Sequence, residues 1–113
     1  MECIFCKIAA GEIPADVVYR DDEVTAFRDI NPQAPTHVLI IPNEHVPDVF
    51  HATEEQLKGL PHMVSVANQL AEREHLAERG YRLVINHGPD AGQSVFHLHM
   101  HLLGGRRFSW PPG

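Results

Sequence analysis

Three histidines alternate with apolar residues near the end of the sequence. His97, His99 and His101 lie in the segment His-Leu-His-Met-His-Leu-Leu, residues 97–103. Successive side chains of a β-strand point to opposite faces, so the imidazoles are predicted to line one face and the apolar side chains the other. With an ordinary pKa near ~6.5, the three imidazoles can supply a nucleophile, a proton donor and a metal ligand near neutral pH. A solvated edge strand would give a similar pattern, but three imidazoles in alternation favour a functional site.

Two cysteines lie close together at the start of the chain. Cys3-Ile4-Phe5-Cys6 has the two-residue spacing at which two thiolates can bind one metal ion. A redox role would require the pair to follow a strand of a thioredoxin-like unit, and the sequence shows no such unit here. Tetrahedral zinc would need two further ligands. The alternative is that Cys3 and Cys6 are small apolar residues that pack a terminal helix.

The elements that would position these groups are a short helix and five strands. Residues 3–10 predict a helix that Gly11 ends. Two β-rich segments flank the polar residues 20–23, which predicts a hairpin. The predicted strands comprise residues 17–19, 24–27, 37–41, 81–86 and 95–103.

One long helix is predicted between the third and fourth strands. Thr53-Glu54-Glu55-Gln56 is a capping-box pattern, and apolar residues then recur at helical spacing to about Arg79, before Gly80. Pro61 lies inside this stretch, where an interior proline costs ~3 kcal/mol, so we expect a kink or a helix that starts in full after it. A five-stranded antiparallel sheet with one long helix and a short N-terminal helix is an α+β fold.

The composition is that of a small enzyme with one domain, residues 1–113. Its 9 Lys and Arg against 15 Asp and Glu give a net charge of −6, which argues against binding a nucleic-acid backbone and favours a mononucleotide as ligand. Neither a signal peptide nor an apolar stretch of membrane-spanning length is recognisable. We therefore expect a cytoplasmic protein with no nucleic-acid or membrane partner.

These motifs resemble those of the histidine triad (HIT) superfamily, whose members bind nucleotides and cleave or transfer at the α-phosphate. Beyond His-x-His-x-His, residues 29–42, 81–86 and 92–95 and the final Trp-Pro-Pro-Gly resemble the Hint branch, the purine nucleoside phosphoramidases. The resemblance runs from about Cys3 to the last residue. It implies a single HIT domain with the same α+β fold, and a homodimer in which two sheets join.

The resemblance implies a nucleoside 5′-phosphoramidate hydrolase, of the AMP-amine or AMP-lysine type, that acts through a nucleotidyl-histidine intermediate. The central histidine, His99, would be the nucleophile that attacks the α-phosphorus and expels the amine. A backbone carbonyl would have to hold its other ring nitrogen, so that the attacking nitrogen is bare. His101 would contact the phosphate and help to protonate the leaving group, and His37 would orient the triad from the neighbouring strand.

The same resemblance implies a purine-nucleotide site. Asp29 would bind both ribose hydroxyls, since a carboxylate only accepts hydrogen bonds. Asn86, Gln93 and Ser94 would hold the phosphate, and Ser94 would count among the catalytic residues. The purine cleft would comprise apolar residues that spacing alone would place in a core: Ile4, Phe5, Ile8, Phe27, Ile30 and Leu39.

The resemblance also completes a zinc site. In HIT proteins that carry an N-terminal Cys-x-x-Cys, a histidine after the third strand and the first triad histidine supply the missing ligands, which here are His45 and His97. Four protein ligands leave no position for water, so the zinc would be structural, and no catalytic metal is expected. Trp110 would, as in this branch, reach across the dimer to the partner's active site and help to select the leaving group.

Two other functions remain alternatives. The chain could be a dinucleoside polyphosphate hydrolase or nucleotidyl transferase of the same superfamily, or it could bind a purine nucleotide without turnover. The Trp-Pro-Pro-Gly end and an intact His99 favour the phosphoramidase. The histidines outside the motifs are predicted to lie on a solvated surface: His51, His62, His75 and His87.

Overall fold

The predicted strands and helices are present in the structure of the protein, a computed structural model that describes residues 2–113. In chain order, these residues form α1 (Ile4–Ala9), β1 (Val17–Arg20), β2 (Val24–Arg28), β3 (Thr36–Pro42), α2 (Glu54–Leu57), α3 (Leu60–Arg73), β4 (Tyr81–Ile85) and β5 (Met100–Gly104). The strands make one antiparallel sheet in the order β1-β2-β3-β5-β4. The predicted α+β fold is confirmed.

The two faces of the sheet bury different helices. On one face, Val38, Ile40 and Leu102 pack in a core with α3. On the other face, Phe27 and Leu39 pack with α1 in a smaller cluster. Because side chains alternate along each strand, β3 and β5 contribute to both layers, and the triad histidines lie on the α1 side. The short N-terminal helix thereby forms one wall of the space above them.

The fifth strand is shorter than predicted. It begins at Met100 rather than at Val95, so of the three triad histidines only His101 lies within it. The backbone N–H of Leu98 donates to the carbonyl of Val46, 2.6 Å away, instead of to β3. The segment before β5 is therefore held by the loop after β3, and its histidines can take separate roles.

The long helix starts in full beside Pro61, as expected, but its predicted end at Arg79 is wrong, because α3 ends at Arg73. The capping box of Thr53 and Gln56 forms as predicted, but α2 is a single turn. Pro61 lies in the first turn of α3, where its missing N–H removes no helical hydrogen bond. No helix in residues 2–113 is long and apolar enough to cross a membrane.

The end of α3 at Arg73 is produced by a left-handed residue. His75 has φ 61, and the N–H of Leu76 donates to the carbonyl of Ala71 at 2.8 Å. This is a Schellman motif, which satisfies the last carbonyls of a helix. The buried Leu76 then packs against Gly104, where a Cβ would lie 2.7 Å from a leucine methyl group. The exposed ring of His75 agrees with its predicted surface location.

The β1–β2 hairpin is organised by Asp21. Its Oδ1 accepts the N–H groups of Glu23 and Val24, and its Oδ2 accepts bonds from Tyr19 and from His62 on α3, each at 2.7 Å. Burial alone would raise the pKa of Asp21, but these hydrogen bonds outweigh it and lower the pKa well below its usual value. The prediction of a solvated His62 is therefore wrong, because this ring is half-buried and ties α3 to the hairpin.

Asp21→Asn is expected to destabilise the fold by about 1–2 kcal/mol at pH 7, because the substitution removes hydrogen bonds to a charged acceptor. The pKa of Asp21 is lower in the folded state than in the unfolded chain, where it is about 3.9. The stabilisation by ionised Asp21 is therefore complete above that pH and is progressively lost below it. The free energy of unfolding is measured with urea at pH 7 and at pH 3. The difference between the variant and the wild type should be smaller at pH 3. The neighbouring exposed Asp22→Asn is the control, and an equal loss there would contradict this role for Asp21.

Candidate active site

A cavity of about 660 Å³ lies between α1 and the sheet, and we call it the α1 cavity. Its walls bring together ten of the residues predicted for the nucleotide site. These are Ile4, Phe5, Ile8, Phe27, Asp29, Ile30, Leu39, Ser94, His99 and His101. Apolar side chains from α1, β2 and β3 line the cavity together with the polar side chains of Asp29, Ser94, His99 and His101. Such a cavity suits a ligand with one flat apolar part and one charged part.

His99 is held in a single tautomer by the backbone. Its Nδ1 lies 2.7 Å from the carbonyl oxygen of His97, and a carbonyl can only accept, so Nδ1 carries the proton. The neutral ring therefore has its lone pair on Nε2. Phe5 packs edge-on against the ring, with centroids 5.2 Å apart, and fixes its plane. His99 is almost fully buried yet lines the α1 cavity, which is the geometry a nucleophilic imidazole requires.

A second chain of hydrogen bonds fixes His101. The N–H of Gln33 donates to Nδ1 of His37 at 3.0 Å, so His37 carries its proton on Nε2. That Nε2 lies 2.9 Å from Nδ1 of His101, which must accept. The proton of neutral His101 is consequently on Nε2. His37 thus contacts one triad histidine directly, and its role in orienting the triad stays a prediction.

Burial disfavours the charged forms of these two rings. Burial lowers the pKa of His101 to about 4, with further lowering from His99 and His37, and Asp29 opposes the shift. Burial likewise lowers the pKa of His37, again against the opposing charge of Asp29. Both rings are therefore neutral donors and acceptors at pH 7 while the cavity holds no anion.

Asp29 lies beside this pair, and its Oδ2 is 3.5 Å from Nε2 of His37. The three side chains Asp29, His37 and His101 are close enough together to suggest a metal site. The hydrogen bond from the N–H of Gln33 argues against a metal ion here. It requires the lone pair of His37 to be on Nδ1, so the proton is on Nε2, which is the nitrogen that would have to bind the metal. Asp29 is left as an acceptor on the wall of the α1 cavity.

The other predicted phosphate contacts differ in position. Ser94 is exposed on the cavity wall, and Asn86 is half-buried directly after β4. The side chain of Gln93 is buried, donates to the carbonyls of Pro47 and Val95, and accepts from the N–H of Gly88. These contacts order the loop before Ser94. A direct contact of the Gln93 side chain with phosphate stays a prediction.

Trp110 does not line the α1 cavity, and 82% of its surface is exposed. The segment before it is anchored to its own chain, since Arg82 donates to the carbonyl of Ser109 and packs over the ring of Phe108. The predicted contact of Trp110 with a partner subunit stays a prediction.

The surface histidines near this site form a small cluster of their own. His51 donates to the buried Asp48 carboxylate at 2.8 Å, and His87 lies 3.4 Å from it. Hydrogen bonds from His51 and the nearby His87 outweigh burial and lower the pKa of Asp48. Both rings remain largely exposed, as predicted, and they link the loop after β3 to the loop after β4.

The four predicted zinc ligands meet at one point. Cys3, Cys6, His45 and His97 each bring one ligand atom within 4.8 Å of the others. The Sγ of Cys3 lies 3.3 Å from Nδ1 of His97, and the Sγ of Cys6 lies 3.3 Å from Nδ1 of His45. Ligands at zinc bond lengths of about 2.0–2.3 Å on a tetrahedron are separated by distances of this size.

The second ring nitrogen of His97 is held as in a metal-binding histidine. Its Nε2 donates to the carbonyl of Pro42 at 2.8 Å, which leaves Nδ1 bare and directed at the two sulfurs. Such a second contact is the usual way in which a ligating histidine is oriented. Burial and the neighbouring Cys3 raise the pKa of the Cys6 thiol to about 11, so a nearby positive charge is needed to keep Cys6 as a thiolate at neutral pH.

The histidine triad, its backbone-held central ring and the antiparallel sheet define the class of this protein. The sequence model of the HIT domain family matches residues 10–108, and the chain belongs to that family. The likeness extends to solved structures. A HIT family hydrolase from Legionella pneumophila Philadelphia 1 superposes with a TM-score of 0.96 at 52% identity, over 99% of this chain and 100% of the other.

Two curated relatives carry more specific names. The purine nucleoside phosphoramidase of Escherichia coli K12 is 57% identical over 105 residues, which cover 93% of this chain and 88% of the relative. A 14 kDa zinc-binding protein of Zea mays is 54% identical over 112 residues, 97% of this chain and 87% of the relative.

A backbone carbonyl on His99 was predicted from the sequence, but the backbone groups that set the tautomers of His37 and His97 were not. The N–H of Gln33 and the carbonyl of Pro42 each hold one imidazole, and neither contact has a signal in residue type, because any residue except proline carries an N–H and every residue carries a carbonyl. Only the position of Pro42 at the end of a strand could have directed attention to it.

Proposed function

We propose that the protein is a hydrolase of purine nucleoside 5′-phosphoramidates that acts through a nucleotidyl-histidine intermediate. The observation that carries this proposal is the bond from His99 Nδ1–H to the carbonyl of His97, which leaves Nε2 bare at the α1 cavity. The 57% identity to the E. coli purine nucleoside phosphoramidase supports the same reaction. The broader conclusion that the protein is a hydrolase is also supported by its membership of the HIT family.

In the proposed complex the purine lies against the apolar side chains of the α1 cavity, between Phe27, Leu39 and α1. The ribose hydroxyls donate to Asp29, which faces the cavity as an acceptor. The α-phosphate lies between His99 and His101, with Ser94 and Asn86 as further hydrogen-bond donors. Donors aimed at the phosphate oxygens stabilise the charge that develops during displacement.

The reaction proceeds in two displacements. His99 Nε2 forms a bond to phosphorus as the bond from phosphorus to the amine breaks, and the amine leaves with a proton from His101. The phosphate anion favours a charged imidazole beside it, so His101 takes up a proton from water on Nδ1 when substrate binds. The Nε2–H of His37 then donates to Asp29 Oδ2, 3.5 Å away, instead of to His101. The charged His101 can give its Nε2 proton to the amine. Water then attacks phosphorus and gives one proton to the bare Nε2 of His101, the bond from phosphorus to His99 Nε2 breaks, and AMP leaves with His99 regenerated.

We further propose a structural zinc ion on Cys3, Cys6, His45 and His97. When bound, it would hold α1 against the loop after β3 and the segment before β5. All four positions are protein ligands, so no site remains for a reacting water. Its effect on the reaction would be indirect, through the position of Phe5 against His99.

The predicted homodimer, the contact of Trp110 with the partner and the cytoplasmic location belong to the same proposal. We expect the dimer to bring Trp110 to the mouth of the partner's α1 cavity. Light scattering of the intact protein would measure the assembly, and a monomer would remove this part of the proposal.

The function is tested by comparing substrates. The purified protein is incubated with adenosine 5′-phosphoramidate, AMP-lysine and a diadenosine polyphosphate, and AMP release is followed for each. We expect turnover of the phosphoramidates with kcat/KM at least tenfold above that of the dinucleotide, roughly the contribution of a well-fitted leaving group. Preference for the dinucleotide would assign the protein to another branch of the superfamily, and AMP binding without any turnover would assign it a binding function.

A further inference from the structure

Cys3 and Cys6 are the only cysteines of the chain, and we call them the thiol pair. Cys3 is the N-cap residue of α1, and Cys6 lies one turn further along the helix. The Sγ of Cys3 accepts the backbone N–H of Cys6 at 3.4 Å, and the two Sγ atoms lie within 4.8 Å of each other. A change in the first turn of α1 would therefore bring the sulfurs to the distance of about 2.05 Å that a disulfide requires.

The thiol pair can be reached from solvent, because both cysteines are only partly buried. Cys3 and His45 line a cavity of about 540 Å³, which adjoins the α1 cavity since Ile4 and Ser94 line both. A cavity of this volume accommodates a small organic molecule. A small disulfide compound that enters it meets the thiol of Cys3 first.

Phe5 connects the thiol pair to the nucleophile, because it lies between the two cysteines in α1. Its ring is buried and packs edge-on against His99, with centroids 5.2 Å apart, and against Phe27, with centroids 5.3 Å apart. The ring also lies 6.0 Å from that of His97. Close-packed interiors transmit a displacement from one side chain to the next. A change in the first turn of α1 therefore reaches the ring of His99.

His97 is a second connection, because it contacts both the thiol pair and the nucleophile. Its Nδ1 lies 3.3 Å from the Sγ of Cys3 and 3.5 Å from that of Cys6, and its backbone carbonyl accepts the Nδ1–H of His99 at 2.7 Å. A thiol hydrogen or a metal ion can satisfy the lone pair on Nδ1, but a disulfide offers neither. Since His97 is fully buried, a disulfide would leave this nitrogen without a partner and so displace the residue that holds the nucleophile.

We infer that the thiol pair is a redox-sensitive switch on His99: its oxidation to a disulfide releases the zinc ion and lowers turnover while the protein stays folded. The inference rests on the phosphoramidate hydrolysis and the structural zinc proposed above. It differs from the catalytic exchange of a thioredoxin-like unit, because here the pair acts on the position of a histidine and not on a disulfide substrate.

The oxidant is a small disulfide compound, which reacts in two exchange steps. The thiolate of Cys3 attacks one sulfur of the compound, so a mixed disulfide forms and one thiolate of the compound leaves. The thiolate of Cys6 then attacks the Sγ of Cys3, the mixed disulfide breaks and the second thiolate leaves. The thiol pair has lost two electrons and the compound has gained them. The zinc ion departs because two of its four ligands are no longer thiolates.

The test treats the zinc-loaded protein with glutathione disulfide, which can exchange only with the thiol pair. Mass spectrometry should show the loss of two hydrogen atoms per chain, and a chromogenic chelator should detect the released zinc. We expect kcat for adenosine 5′-phosphoramidate to fall by about tenfold or more, because small displacements of a reacting group have effects of this size. AMP affinity should change far less, since Phe27, Leu39 and Asp29 keep their positions. Dithiothreitol with zinc should restore kcat.

The position of His99 is measured directly from the imidazole N–H signals of a proton–nitrogen correlation spectrum. The Nδ1–H of His99 is held by a carbonyl, and its signal should shift or broaden on oxidation. The Nε2–H of His37, which is held by His101, should shift much less. His99→Asn identifies the first signal by its absence. A general loosening of the fold would instead change both signals.

The double variant Cys3→Ser with Cys6→Ser is the matched control, because it leaves no thiol in the chain. Glutathione disulfide should not change the kcat of this variant from its own untreated value. If the variant is insoluble, the wild-type measurements, with reversal by dithiothreitol and zinc, decide the inference.

Three results would overturn the inference while leaving the proposed function intact. They are a wild-type disulfide that forms without a fall in kcat, a thiol pair that stays reduced in excess glutathione disulfide, and an equal fall in kcat in the double variant. Reduced wild-type protein that binds AMP without any turnover would contradict the proposed function itself. The two failures are thus distinguishable in one set of measurements.

Discussion

His99→Asn and His99→Ala are expected to lower the turnover of adenosine 5′-phosphoramidate by about 10³-fold or more, because they remove the nitrogen that we propose forms the covalent intermediate. AMP affinity should change little, since the proposed purine and ribose contacts come from α1, β2, β3 and Asp29. Steady-state kinetics give the first quantity and isothermal titration with AMP gives the second.

His75→Asn is the matched control for this experiment. His75 is exposed at the end of α3 with φ 61, a conformation that asparagine tolerates, so the same substitution there should leave the kinetics unchanged. A His99 variant that keeps more than about a tenth of the wild-type rate would contradict the assignment of the nucleophile.

The second large effect is expected at the cysteine and histidine cluster. Protein purified under reducing conditions without chelators should contain close to one zinc ion per chain, and Cys6→Ser should lose it. A zinc contribution of about 3 kcal/mol would correspond to a fall in melting temperature of roughly 10 °C for a chain of this size. Elemental analysis and thermal unfolding measure the two quantities.

Ala9→Ser serves as the control for Cys6→Ser, because it introduces the same hydroxyl into α1 away from the four ligands. It should retain zinc and melt close to wild type. If Cys6→Ser is insoluble, stripping zinc from the wild-type chain with a chelator and restoring it tests the same claim. A protein that holds no zinc at all would contradict it.

Two local features were predicted correctly from sequence because they depend on residue type and short spacing. The alternation of His97, His99 and His101 with leucine and methionine predicts two faces, and the apolar set does face α3. The capping box at Thr53 depends on two side chains three residues apart, and it forms as predicted. In both cases the interaction is local, so the sequence contains what is needed to predict it.

The start of β5 was predicted wrongly because distant parts of the chain compete for the same backbone groups. Residues 95–99 have the composition of a strand, but the N–H of Leu98 donates to Val46 and the side chain of His97 donates to the carbonyl of Pro42, and β5 starts only at Met100. The end of α3 has a local cause, since the left-handed backbone of His75 ends the helix at Arg73. Only the first error involves contacts that no single segment shows.

The sequence by itself determined which groups are present: three alternating imidazoles, two cysteines at metal-binding spacing, and strands to carry them. Only the tertiary structure decided what each ring can do, because a neutral imidazole has one proton and its position depends on which acceptor or donor the fold places beside it. The carbonyl of His97 makes Nε2 of His99 the bare nitrogen, the N–H of Gln33 sets the proton of His37, and the carbonyl of Pro42 turns His97 toward the cysteines. These partners are backbone groups, which nearly every residue carries, so only the fold decides which of them lies beside each ring.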